Sequence, residues 1–275
     1  AGKLPSLWPP NLKHLRLDRA TFSKPRSMLK LPQGIEKLAL FHSIEASASV
    51  LALLPRQLKT LKLSEPILAQ QLLDSATGEP VLPPHLLRVA VGRVSRETAA
   101  YVAKGLPRTI TKLALSGREF TSLKYMALPT SITSLQLQLQ GSIINHKLTA
   151  RLPPNLKDLR LSCRRLKEHT LERLPPGLTR LTVWGSMSRC SPRLLSMLPR
   201  GITDLTIPKD ALGFELGILE MPRGVVHMPL LFPTYVSFDV AIRLPPSFGF
   251  YPIGRDTDKW RADCPGTTKW TPGHN

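Results

Sequence analysis

With 275 residues the chain is long enough for one large domain or two small ones, and its formal net charge of +19 comes from 38 basic and 19 acidic residues. Its 27 prolines exclude a helical bundle or an ordinary interior sheet unless they fall at a fixed turn. Three cysteines (Cys163, Cys190 and Cys264) are too few and too scattered for a disulfide framework or a zinc knuckle, and no apolar run approaches the ~18 residues of a membrane span.

Proline does recur at a fixed interval. Taken in chain order, the units open at Trp8-Pro9, Leu31-Pro32, Leu54-Pro55, Leu82-Pro83, Leu106-Pro107 and Leu128-Pro129. They continue at Leu152-Pro153, Leu174-Pro175, Leu198-Pro199, Met221-Pro222 and Leu244-Pro245, so that eleven units follow one another at 22–28 residues. Each places apolar residues four, seven and nine positions after its first residue; Leu152, Leu156, Leu159 and Leu161 form one clear copy, and Leu174, Leu178, Leu181 and Val183 another. The last copy keeps the register in degenerate form with Phe248, Tyr251 and Ile253.

The alternation at plus seven and plus nine predicts a short half-buried strand in every unit. Proline ahead of it predicts an extended approach that needs no N–H. About a dozen helical or irregular residues follow each strand. The segment 95–105, opening on Ser95 and closing on Gly105, reads as a capped helix, and Ser191-Pro192 opens another. A single unit has too small a core to stand alone, so stacking on neighbours must close it. The expected fold is an α/β repeat solenoid, a horseshoe with a parallel concave sheet of about eleven short strands. It occupies residues 1–253, and residues 254–275, with Trp260 and Trp270, form a C-terminal cap or tail.

The Leu-Pro-x-x-Leu-x-x-Leu-x-Leu frame over about residues 4–253 resembles the leucine-rich-repeat superfamily. Proline before the strand is similar to the LPX repeats of bacterial effectors and the FNIP repeats of amoebae and large viruses. The asparagine that usually follows the strand is missing; Ser43, Pro66, Val94, Arg118 and Arg164 stand in its place. The resemblance implies a binding scaffold and carries over no catalytic residue.

Positions six, eight and ten after each unit's first residue are expected to line the concave face. Six of these residues are the candidate binding set: Lys62, Arg88, Lys112, Arg160, Arg180 and Trp184. Trp184 beside Arg160 and Arg180 has the composition of a hot spot. Gly92, Ala90 and Ala114 are expected to leave room for a close-lying partner. Arg56, Arg108, Arg200 and Arg223 form a second basic row in the turns, and Arg164, Arg165 and Lys167 form an alternative cluster on the convex side.

The charge is concentrated. Residues 81–200 carry 20 Lys/Arg against 5 Asp/Glu, whereas residues 1–80 carry 11 against 6 and residues 201–275 carry 7 against 8. That excess points to an acidic partner. No His, Cys, Asp or Glu falls at metal-ligand spacing, and no phosphate loop or nucleophile elbow occurs, so neither a metal, a cofactor nor an enzymatic activity is expected. The leading expectation is a protein-binding module, monomeric on its own and intracellular (cytoplasmic or organellar), whose partner presents an acidic surface. A rival is an RNA-associated structural subunit of a ribonucleoprotein such as an organellar ribosome, although the floor lacks the stacking aromatics of a base reader. A third is the substrate-recognition part of a larger ubiquitin ligase or effector. The chain begins at Ala1 rather than methionine, and targeting is not legible there.

Overall fold

The computed structural model describes residues 8–18, 31–41, 51, 53–64, 82–94, 102, 104–117, 128–144, 151–166, 168–186, 197–206 and 224–225. Within them the repeat begins with a tight turn rather than a plain extended approach. In nine successive units the proline carbonyl accepts the N–H of the plus-four aliphatic residue (from Leu12 to Pro9 through Ile202 to Pro199) at 3.0–3.3 Å. Proline thus starts a four-residue β-turn, and a second proline (Pro10, Pro84, Pro154 or Pro176) occupies the turn's second position, where its fixed φ fits. The plus-four residue then points inward; Ile35, Leu58, Leu86, Ile110, Ile132, Leu156, Leu178 and Ile202 are all fully buried.

Each turn feeds a strand: β1 (His14–Asp18), β2 (Lys37–Phe41), β3 (Thr60–Leu63), β4 (Arg88–Val91), β5 (Lys112–Gly117), β6 (Ser134–Ile144), β7 (Asp158–Leu166), β8 (Arg180–Ser186) and β9 (Asp204–Thr206). They form one sheet in sequence order, every neighbour parallel. The register holds from end to end, so that Leu38, Leu61, Val89, Leu113, Leu135, Leu159, Leu181 and Leu205 face one another along the core. A parallel sheet with one apolar face needs a covering layer. Among the described residues of the chain returning between strands, Leu51, Val94, Val102 and Leu171 contribute to it, buried among the strand residues. The 3-10 helix Glu168–Arg173 belongs to this layer, and Val102, Lys104 and Gly105 are helical where a capped helix over 95–105 is expected.

Stacking is reinforced just before the strands. The carbonyl at plus five in each of eight repeats accepts two N–H groups from the next repeat, at 2.8–3.1 Å; Thr133 and Ser134, for example, both donate to Thr111. The hydroxyls of Thr111, Thr133 and Thr179 donate to the same carbonyls at 3.1–3.3 Å. A repeat-to-repeat ladder therefore precedes the strand in a sequence that lacks asparagine after it.

Nine strands are described against an expected eleven. The units opening at Met221 and Leu244 lie outside the described residues, apart from Gly224 and Val225, and Val225 is buried as its plus-four position requires. Three strands are longer than the repeat frame implies: β6 has 11 residues, β7 has 9 and β8 has 7. Register shifts between Leu139 and Ile143 and between Ser162 and Arg165 mark where they leave the common frame. Cys190, the segment 254–275 and all but the end of the helix expected after Ser191 lie outside the described residues.

Candidate binding face

The strands' outward rows coincide with the positions read from the repeat. The sixth position runs His14, Lys37, Thr60, Arg88, Lys112, Ser134, Asp158, Arg180 and Asp204 through consecutive ladder pairs. The eighth runs parallel to it, placing Lys62 between Ala39 and Ala90, and Arg160 between Gln136 and Thr182. From β2 to β5 odd positions are buried and even ones exposed or half-buried, as a strand between core and water demands, while on β1 the odd positions Leu15 and Leu17 are half-buried.

The structure separates the candidate cations into two groups. Arg160 Nε lies 3.4 Å from Asp158 Oδ1, and Arg180 Nη1 lies 3.9 Å from Asp158 Oδ2. Arg180 Nη2 lies 3.9 Å from Asp204 Oδ2. Ser134 Oγ donates to Asp158 at 3.4 Å and Thr203 Oγ1 donates to Asp204 at 2.9 Å, anchoring both carboxylates. Across β7, β8 and β9 the arginines are thus answered within the protein. Lys62, Arg88 and Lys112 are exposed, and so is Lys37, which the candidate set omitted; among the described residues no ion pair or side-chain hydrogen bond reaches any of the four. The signal was present in the sequence, since Asp158 and Asp204 occupy Arg180's own row and Arg160 stands two residues after Asp158, but pairing across strands depends on adjacency in the sheet.

Trp184 ends the tenth-position row on β8 opposite Ser162, at 37% exposure. The neighbours proposed for it, Arg160 and Arg180, stand in lower rows and pair with carboxylates. Phe41 on β2 is covered by the Arg16 guanidinium, 4.4 Å above its ring. At Gly92 the structure supplies a reason of its own for the glycine. A Cβ there would lie 2.5 Å from the Ser64 carbonyl oxygen, so the glycine serves the protein's own backbone approach. Ala90 and Ala114 keep their places on the open face.

In the alternative cluster, the backbone of Arg164 and Arg165 lies in β7, with Arg165 opposite Ile143 on one side and Ser186 on the other; Lys167 lies outside the described residues. Arg56, Arg108 and Arg200 are exposed in the turns, and Arg223 lies outside the described residues. Beside this turn row, Glu36 lies 3.3 Å from Lys13 Nζ and 3.0 Å from Lys59 Nζ. Hydrogen bonds from Lys59 and then Lys13 hold its carboxyl below the ordinary glutamate range. Shallow depressions run between stacked turns, one of them bordered by Arg56, His85 and Leu87. Among the described residues no group of His, Cys, Asp and Glu is assembled to hold a metal, and no helix is long and apolar enough to cross a membrane.

No model of a known protein family matches the chain, and no curated protein sequence does. Comparison with solved structures does find likenesses, and that to the first shows the fold. The leucine-rich repeat-containing protein LegL7 from Legionella pneumophila superposes with a TM-score of 0.50 at 17% identity, over 85% of both chains. The circular leucine-rich-repeat protein CroV588 matches 90% of this chain at 20% identity and a TM-score of 0.47. TLR13, in a TLR13–ssRNA13 complex, matches 86% of it at 15% identity and a TM-score of 0.34. The chain spans about a third of the CroV588 chain (34%) and half of the TLR13 chain (50%).

Proposed function

We propose that this leucine-rich-repeat solenoid is a non-catalytic scaffold whose open sheet face binds a protein partner through acidic groups. The observation that carries this reading is the common register of the sixth and eighth positions from β1 to β9, which sets Lys37, Arg88, Lys112 and Arg180 in one outward row and Lys62 and Arg160 in the next. Side chains on a hydrogen-bonded sheet are held at fixed spacing, so a partner meets them with little ordering cost. Ala39, Ala90 and Ala114 between them let a partner's main chain come close.

A photo-crosslinker placed at Ala114, on the face, and separately at Arg108, on the turn edge, tests this in full-length protein exposed to its native extract. The expected result is protein adducts at Ala114 that survive RNase and are absent at Arg108. The excess of 20 basic over 5 acidic residues in 81–200 supports a second reading, an RNA-bound subunit of a ribonucleoprotein. Adducts at Ala114 that disappear on RNase treatment would establish that reading and end the first.

A further inference from the structure

Building on that scaffold reading, we infer that the contact surface is confined to β2–β5, where Lys37, Lys62, Arg88 and Lys112 bind a carboxylate-rich peptide segment of a protein partner. Arg160 and Arg180 lie outside it.

Three observations separate the two halves of the face. Opposite charges meet on β7, β8 and β9, where Asp158 serves Arg160 and Arg180 and Asp204 serves Arg180 again. On β4 and β5, by contrast, Arg88 and Lys112 stand opposite each other in the ladder, both exposed, with ladder neighbours about 4.8 Å apart. Like charges so placed destabilise a sheet. Among the described residues nothing relieves them, nor Lys37 and Lys62 nearby. An arrangement that works against stability in the free protein becomes favourable once an anion lies over it. The third observation is the lining: Ala39 and Ala90 flank Lys62, and Ala114 follows Ala90, so main chain can approach the cations from above.

The footprint selects the partner's chemistry. From Lys37 on β2 to Lys112 on β5 is three ladder steps, roughly 14 Å. That length suits a short acidic segment. Four phosphates on a single strand of RNA would supply a log–log salt slope of only about −2.8. Base stacking would need a free aromatic ring, and Phe41, the one aromatic on β2–β5, already carries Arg16 on its ring.

The test measures binding of the full chain to a labelled glutamate-rich peptide about eight residues long, roughly 26 Å when extended, and to an oligouridylate of equal length. Wild type is compared with a quadruple variant (Lys37→Gln, Lys62→Gln, Arg88→Gln, Lys112→Gln) and with a double variant (Arg160→Gln, Arg180→Gln). The expected result is salt-dependent peptide binding that weakens on the order of tenfold or more in the quadruple variant, because four exposed ion pairs are lost together, and changes less than about twofold in the double variant. Melting temperature supplies a readout without ligand: the quadruple variant should hold or raise it, and the double variant should lower it. Equal loss of peptide binding in both variants overturns the confinement to β2–β5 while leaving the scaffold reading intact. Tighter, quartet-dependent binding of the oligouridylate overturns the peptide assignment. A peptide that wild type does not bind, or binds with indifference to both variants, overturns the inference, while the scaffold reading stands or falls by the crosslinks at Ala114.

Discussion

Two glycines show how surroundings decide what a residue tolerates. Gly117 closes β5 directly against the Val94 carbonyl oxygen, and a Cβ would collide with it, whereas Gly177 in the turn before β8 has nothing within 4 Å of its Cβ position. Gly117→Ala is expected to cost about 1–3 kcal/mol through overpacking against backbone. Gly177→Ala should be neutral or stabilise by up to ~1 kcal/mol through loss of unfolded-state freedom. Urea denaturation of the two variants checks the contrast, and equal losses would contradict it. Glu36 gives a residue-scale pH dependence. Lys59 and Lys13 lower its pKa in the folded state, so its contribution is present above the ordinary glutamate value of 4.5 and is lost as pH falls through the lowered one. Wild type should therefore melt above Glu36→Gln at neutral pH, with the gap closing in acid and in high salt. A gap that widened on acidification would refute the assignment.

At the scale of the repeat, the turn, the plus-five ladder and the strand act in succession. Leu159 is fully buried on β7 while its neighbour Arg160 lies on the open face, its side chain 42% exposed beside Asp158. Leu159→Ala should cost about 2–5 kcal/mol as a buried leucine, and Arg160→Ala at most about 1 kcal/mol as a surface ion pair. Equal destabilisation would mean that the alternation is misplaced by one residue. Thr133 tests the ladder: its hydroxyl donates to the Thr111 carbonyl at 3.3 Å, a group that also accepts two backbone N–H donors. Because that carbonyl stays satisfied without the hydroxyl, Thr133→Val should cost no more than about 1 kcal/mol, measurable as a small shift in denaturation midpoint.

For the whole molecule, the surplus of charge competes with the internal pairs. The ion pairs of Glu36, Asp158 and Asp204 lose strength in salt. Repulsion under a net charge of +19 is screened at the same time. Since surface pairs contribute little and the surplus acts over many residues, added salt should raise the melting temperature. A fall would mean that the pairs outweigh the surplus. Each repeat shares its hydrogen bonds and core with its neighbours, so loss of Leu159 in the middle is expected to reduce the cooperativity of unfolding more than the same change at Leu15, half-buried on the edge strand β1.

The sequence by itself determined the repeat, the register of the described strands within the repeat frame and the division of residues there between core and open face; the shifted ends of β6, β7 and β8 lay outside that frame. A spacing of 22–28 residues with apolar positions at four, seven and nine permits one stacking, and a shift by one residue would turn Leu159 outward and Arg160 inward. It also located the basic residues on the open face. Only the tertiary structure decided which of them are neutralised. Asp158 and Arg180 are 22 positions apart in the chain and meet because β7 and β8 are neighbours, so pairing belongs to the sheet and not to either repeat. The same holds for Gly92: its role is set by the Ser64 carbonyl from the preceding repeat, a contact that no local pattern contains. The proline's place as the first residue of a tight turn, and the carbonyl ladder beyond it, likewise became visible only when one repeat was stacked on the next.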